Sequence, residues 1–161
     1  MPAMTDPHHA LVSFQRAFKA GQIRLQKGDI DPDLYVHLDV PAPGVYRFSY
    51  VRLDNGVVRA FATLVRVEPI EGLPCFQVGY AVPERFRGRG RATDVLSSAI
   101  AELQNGMARN GHKRIAIEAI VGIDNPASMK VAERVLGGAP KEVTDEFSGK
   151  PALQYVGFYG Q

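Results

Sequence analysis

The stretch Val82-Pro83-Glu84-Arg85-Phe86-Arg87-Gly88-Arg89-Gly90-Arg91-Ala92 decides the fold of this 161-residue chain. Upstream of it apolar residues alternate. Downstream they fall at Val95, Leu96, Ala99, Ile100, Leu103 and Met107, a helical stripe. The stretch is therefore a turn from a strand into the start of a long amphipathic helix. A helix N-terminus leaves backbone N–H groups without partners and carries partial positive charge, so it favours an anion. Gly88 and Gly90 let the backbone approach that anion without interference from a Cβ. Arg85, Arg87, Arg89 and Arg91 stand beside it to neutralise phosphate charge. The physical reading is a diphosphate cradle built on the backbone of residues 87–92, ending at Ala92.

Rival readings of the same residues fit less well. A dinucleotide-binding turn needs a third small residue and a parallel sheet, whereas the strands before this turn read as a hairpin meander. A Walker loop needs Lys followed by Ser or Thr after its second glycine, where this chain has Arg91-Ala92. Arg-Gly segments that bind RNA are long and unstructured, not a single turn between strand and helix. The plain alternative is a solvated basic turn.

Working outward, residues 45–53 alternate with Tyr46, Phe48 and Tyr50 on one side, and Asp54-Asn55-Gly56 supplies the positive-φ positions of a tight hairpin. Residues 57–67 return as a second strand, and a turn at 68–72 leads into a third over 74–82. Ahead of this meander the spacing of Ala10, Leu11, Phe14, Ala17 and Phe18 predicts a helix over 9–19. Residues 27–44, with Gly28, Pro32, Pro41, Pro43 and Gly44, read as loop with one short helical turn. After the long helix, Gly111 is a terminator and residues 115–121 form an apolar strand interrupted by Glu118. Asn125-Pro126 reads as an N-cap with proline at the first helical position, and Gly137-Gly138 closes that helix. A strand pair over 142–147 and 152–158 ends the chain. The expectation is one α+β domain over 1–161, with residues 1–8 disordered.

Composition excludes several classes. The hydrophobic share of 45% and charged share of 22% are those of a globular domain of ordinary size. The single cysteine, Cys75, and four scattered histidines show no metal-ligand spacing and allow no internal disulfide, so no metal is expected. The N-terminus lacks a secretory pattern and no apolar run approaches the ~18–20 residues that span a bilayer, so a cytoplasmic protein without a membrane partner is expected. A net charge of +2 is too small to imply nucleic acid.

The cradle Arg85-Phe86-Arg87-Gly88-Arg89-Gly90 resembles the Arg/Gln-x-x-Gly-x-Gly/Ala acetyl-CoA loop of the GCN5-related N-acetyltransferases, placed between strand and helix as in that family. A second landmark, the stretch from Asn125 through Ser128 to Gly137, resembles the Asn-x-x-Ser…Gly stretch of the branch typified by ribosomal-protein N-terminal acetyltransferases. The resemblance covers residues 57–158. It implies a mixed, mostly antiparallel sheet flanked by helices, with a V-shaped splay between its two central strands. It also implies acetyl-CoA as cosubstrate, an amine acceptor, direct attack in a ternary complex, and a family that often forms homodimers. The chain departs from the family at Ala132, where many members carry a tyrosine that serves as general acid, and at Gly137-Gly138 in place of Gly-Phe.

The reaction needs a cofactor grip, an oxyanion donor and two proton carriers. The resemblance places the grip on Arg85, Arg87, Gly88, Arg89, Gly90, Arg91 and Ala92. Val82 then lies at the splay as a backbone donor, and Asn125 either holds cofactor or caps its helix. Ser128 shares an inward helix face with Val131, Ala132 and Val135 and is the candidate acid for the leaving thiolate; the competing reading bonds it back to the i−4 carbonyl. Glu118, a carboxylate in an apolar strand, is the candidate base or the binder of a cationic acceptor; the competing reading pairs it with Lys113 or Arg114 or leaves it on an exposed strand face. An α-amine of pKa ~7.7–8.0 needs less help from a base than a lysine-type amine near ~10.4. Tyr35, His37, Tyr46, Phe48 and Tyr50 are candidates for an acceptor pocket or for core. Two other functions stay open: a catalytically weak acyl-CoA-binding module, and an acetyltransferase that uses its arginines on aminoacyl-tRNA. The acceptor, a peptide N-terminus or a small molecule, is not written in the sequence.

Overall fold

In the computed structural model, which describes residues 6–160, the alternating segments pair as an antiparallel meander. Its strands are β1 (Gln26–Lys27), β2 (Tyr35–Ala42), β3 (Val45–Asp54), β4 (Val57–Ile70) and β5 (Leu73–Ala81), preceded by helix α1 (Pro7–Lys19). Then follow α2 (Arg91–Arg109), β6 (Arg114–Gly122), α3 (Pro126–Leu136), β7 (Lys141–Thr144) and β8 (Pro151–Gly160). The eight strands form one sheet in the order β1-β2-β3-β4-β5-β6-β8-β7. Only the β5–β6 pair is parallel. This is the mixed, mostly antiparallel α+β architecture expected from the sequence.

Local chemistry explains the boundaries. Asn55 (φ 51°) and Gly56 (φ 77°) make the two-residue turn of the β3–β4 hairpin, closed by the pair Asp54–Val57. Asp6 caps α1 by accepting from the His8 amide at 2.8 Å, with Pro7 at the first helical position. His8 is thus helical, not part of a disordered terminus; the rest of that expectation, residues 1–5, lies outside the described residues. The expected loop over 27–44 contains β2. Its prolines and glycine masked an alternation of Val36, Leu38 and Val40, and Pro41 is tolerated because its strand stretch is an outer edge with a register irregularity. The last hairpin is shifted likewise: β7 stops at Thr144 and Phe147 sits exposed in the turn.

The helices cover opposite faces. Leu96, Val95 and Ala99 of α2 are fully buried against Ala62, Leu64, Phe76, Ile115 and Ile117. Each large side chain so buried contributes about 1.5–3 kcal/mol. Leu11 and Phe14 of α1 pack on Val51, Val58 and Phe61 from the other side. The buried Glu102 carboxylate on α2 accepts from the Ile30 amide and pins the loop ahead of β2 to that helix. Gly28 fits there because a Cβ would stand 2.6 Å from the Asp31 carbonyl and 2.8 Å from Glu102 Oε2. Among the described residues, no helix is long and apolar enough to cross a membrane.

The feature that positions the site is a divergence. β5 and β6 pair at Cys75–Ala116, Phe76–Ile117 and Gln77–Glu118, and then separate. Meanwhile β5 stays paired with β4 through Ala81, and β6 with β8 through Gly122. Residues 78–81 and 119–122 therefore enclose a V. The opening begins after Gln77 and not at Val82, which lies beyond the end of β5. The spacing of apolar residues marks a strand but not the rung at which its neighbour departs.

Candidate active site

The glycine-arginine turn hangs from the open end of the V. After β5 the chain makes a 3-10 turn, Glu84–Phe86, and enters α2 through Gly90. Gly88 (φ 81°) and Gly90 (φ 71°) are both in the left-handed region that disfavours any side chain, and a Cβ at either would meet no atom within 4 Å. The space over the turn is open, as a cradle for a bulky anion requires. Among the described residues Arg85, Arg87, Arg89 and Arg91 make no ion pair. Arg87 Nε donates to the Val82 carbonyl at 2.9 Å, tying the turn back to the end of β5. These residues fit the diphosphate of CoA: bare backbone, a helix start and unpaired cations together.

Along the V, the two candidate proton carriers fall on opposite faces of the sheet. Tyr80 of β5 lies on the face of Phe76 and Val78, toward α2 and α3. There its phenol donates to the Ser128 carbonyl at 2.6 Å, and Ser128 Oγ donates to the phenol oxygen at 3.0 Å. Ser128 thus bonds a neighbouring strand and not its i−4 carbonyl. Ala132 is completely buried one turn further along α3, and its amide faces the same phenol. The helix turn that lacks a tyrosine of its own therefore receives one from β5. Burial pushes the Tyr80 hydroxyl above the ordinary phenol range, opposed by its bond to Ser128, so it stays protonated at neutral pH.

Glu118 points the other way, since its neighbours Ile117 and Ala119 fill the core under α2. It sits on the last paired rung, at the vertex of the V. Gln77 of β5 donates to Oε1 at 3.2 Å, and Gln154 of β8 donates to Oε2 at 2.7 Å. The competing pairing with Lys113 or Arg114 is not made. Instead two neutral amides hold the carboxylate from either side without cancelling its charge, leaving lone pairs for an approaching ammonium.

Other candidates disperse. The Asn125 side chain accepts from the Ser128 amide at 3.1 Å, the N-cap of α3. Phe48 and Tyr50 stack in the core under α2, whereas Tyr35 packs on the α1 side and His37 contacts the Phe14 ring edge-on. Tyr46 is half exposed. The five aromatic residues form no single pocket. Sequence reasoning missed Tyr80, Gln77 and Gln154. A polar-tipped aromatic on an otherwise apolar strand face was a signal for Tyr80; the glutamines become visible only when β5, β6 and β8 are placed side by side. Among the described residues, no group of three or more His, Cys, Asp or Glu side chains is placed to hold a metal ion.

Comparison with known proteins reaches the same architecture. The family model described as "Acetyltransferase (GNAT) family" matches residues 17–137. A putative GNAT-family acetyltransferase from Bordetella pertussis is similar over 72% of this chain and 67% of its own, with 20% identity and a TM-score of 0.52. A chimera of the spermidine N-acetyltransferase SpeG from Vibrio cholerae with hSSAT is similar over 70% and 66%, with 14% identity and a TM-score of 0.51. A ribosomal-protein alanine acetyltransferase from Vibrio fischeri is similar over 70% and 60%, with 16% identity and a TM-score of 0.50. At these identities the likeness is one of fold. The chain spans about two thirds or less of the length of these structures. No curated protein matches the sequence.

Proposed function

The chain belongs to the acetyltransferase (GNAT) family, and from that premise we propose that it moves an acetyl group from acetyl-CoA to a primary amine by direct attack in a ternary complex. The observation that carries the reading is the V after Gln77 and Glu118, with a hydroxyl pair on one face and an amide-held carboxylate on the other. Acetyl-CoA supplies an activated thioester. The backbone of residues 87–92 holds its diphosphate, with Arg89 alongside. Past Gln77, β5 has lost its β6 partner, and a backbone N–H freed between there and Val82 is a preorganised donor for the oxyanion. Glu118 binds the acceptor ammonium and takes its proton. Ser128, backed by Tyr80, gives a proton to the departing sulfur on the opposite face. The two proton transfers are separated by the sheet itself, so neither group has to serve both. A carboxylate is a weak base, and this favours an α-amine, such as a peptide N-terminus, over a lysine-type amine.

An amine panel assayed for free CoA tests this. Peptide N-termini and small primary amines are expected to release CoA thiol, peptide α-amines fastest. Tight CoA binding with no release across the panel would make the chain a CoA-binding module instead. Retention on RNA that falls steeply with salt would favour the tRNA-directed reading. Cys75 does not disturb a thiol readout: it is fully buried, and burial next to the Glu118 charge pushes its pKa up to about 12. A thiol reagent is expected to leave Cys75 unlabelled in the folded protein and to label it on unfolding, measured by intact mass. Rapid labelling of the native protein would contradict the burial.

A further inference from the structure

Arg59 reaches the glycine-arginine turn through an irregularity in β4. Arg52 pairs with Ala60 and Leu53 with Val58, which leaves Arg59 as an extra residue without a partner on β3. Bulges of this kind bend a strand, re-aim a side chain and cluster beside active sites. The Arg59 guanidinium carbon lies 5.5 Å from the centre of the Phe86 ring, and Arg85 at 4.7 Å and Arg91 at 5.6 Å share that ring. One cation on a ring is attracted to it, but three guanidiniums gathered round a single ring repel one another.

Direct ion pairing offsets little of that repulsion. Among the described residues Arg85 and Arg91 have no ion pair, and Arg59 has only Asp54 at 3.8 Å. The Nε atoms of Arg59 and Arg91 are buried and meet no hydrogen-bond partner, whereas buried donors are ordinarily bonded. Both side chains line a cleft of about 310 Å³, whose other charged lining residues are Arg52, Asp33 and Asp94. The other guanidinium lining it, Arg52, is already paired with Asp31 and Asp94. Unpaired like charges with unsatisfied inward donors suit a multiply charged oxyanion. The cluster adjoins the turn assigned to the CoA diphosphate, and CoA carries one further phosphate, on the 3′ carbon of its ribose.

We propose that Arg59, with Arg85 and Arg91 around Phe86, seats the 3′-phosphate of CoA, so that the protein selects CoA thioesters over their 3′-dephospho forms. The proposal rests on the acetyl-CoA reading above. It assigns to this phosphate a residue outside the glycine-arginine turn, delivered by a bulge. Its test is calorimetric binding of CoA and of 3′-dephospho-CoA to the wild type and to Arg59→Met, which keeps the apolar stem against Phe86. The wild type is expected to prefer CoA by ~10-fold or more, and Arg59→Met to remove most of that preference by weakening CoA alone. Dephospho-CoA then serves as the internal control for folding. Equal wild-type affinities for the two ligands would overturn the inference. So would an Arg59→Met protein that keeps the wild-type ratio or loses both ligands equally. If neither ligand binds the wild type, the acetyl-CoA reading fails first.

Discussion

Ser128→Ala is expected to lower kcat by ~10²–10³ on a good acceptor while acetyl-CoA affinity stays unchanged, within the range seen for acid-base groups. A thiol is a far stronger acid than an alcohol (~8.5 for a cysteine side chain), so the thiolate needs only modest help to leave, and the expected loss lies toward the lower end of that range. In the resting protein the Ser128 hydroxyl donates its proton to the Tyr80 oxygen, and the Tyr80 hydroxyl donates its own to the Ser128 carbonyl. A rotation about the serine Cβ–Oγ bond frees that proton when negative charge develops on sulfur, without moving backbone. Glu118→Gln acts on the other proton. It is expected to hurt most at low pH, where the acceptor is mostly ammonium and a base is needed, and least at high pH, where free amine is supplied by solvent. The pH–rate profile of Ser128→Ala should keep the wild-type acceptor limb, and that of Glu118→Gln should steepen it. Both variants retaining wild-type kcat across the pH range would remove both residues from the mechanism.

The turn and the helix it opens were legible because their signals are local. A glycine needed for positive φ, a helical stripe from Val95 to Met107 and an N-cap at Asn125 each act within a few residues. The hairpin at Asn55-Gly56 was legible for the same reason. β2 was not, because Pro41 and the flanking Pro32 and Pro43 speak louder than its three alternating apolar residues, and an edge strand needs no central-strand composition. The position of the V was also hidden. It depends on where β6 leaves β5, a matter of register between segments separated by the whole of α2. The same non-local placement conceals the Tyr80–Ser128 pair, the glutamines beside Glu118 and the bulge that delivers Arg59. Sequence thus exposes the groups that chemistry needs one at a time. The sheet decides which of them meet, and at this site it sorts the two proposed proton carriers, Ser128 and Glu118, onto opposite faces.

The double substitution Gly88→Val, Gly90→Val is expected to weaken CoA binding by ~10-fold or more, about 1.4 kcal/mol. Two physical effects add. At φ 81° and 71° both residues hold a conformation that a β-branched residue adopts only under strain, so the turn relaxes away from its shape and its amides cease to converge. Where the turn does hold, each valine projects into the open space above it, the volume assigned to the diphosphate. A Cβ at either position meets no protein atom within 4 Å, so core packing is spared and the melting temperature should fall only by what the backbone strain of the turn costs. Alanine at both positions separates the two effects, since it introduces the strain with far less bulk and should lose less affinity than valine. The measurements are calorimetric CoA affinity and thermal unfolding of the same preparations. A folded double-valine variant with wild-type affinity would remove the diphosphate from this turn, and with it the placement of every group argued to lie downstream along the V.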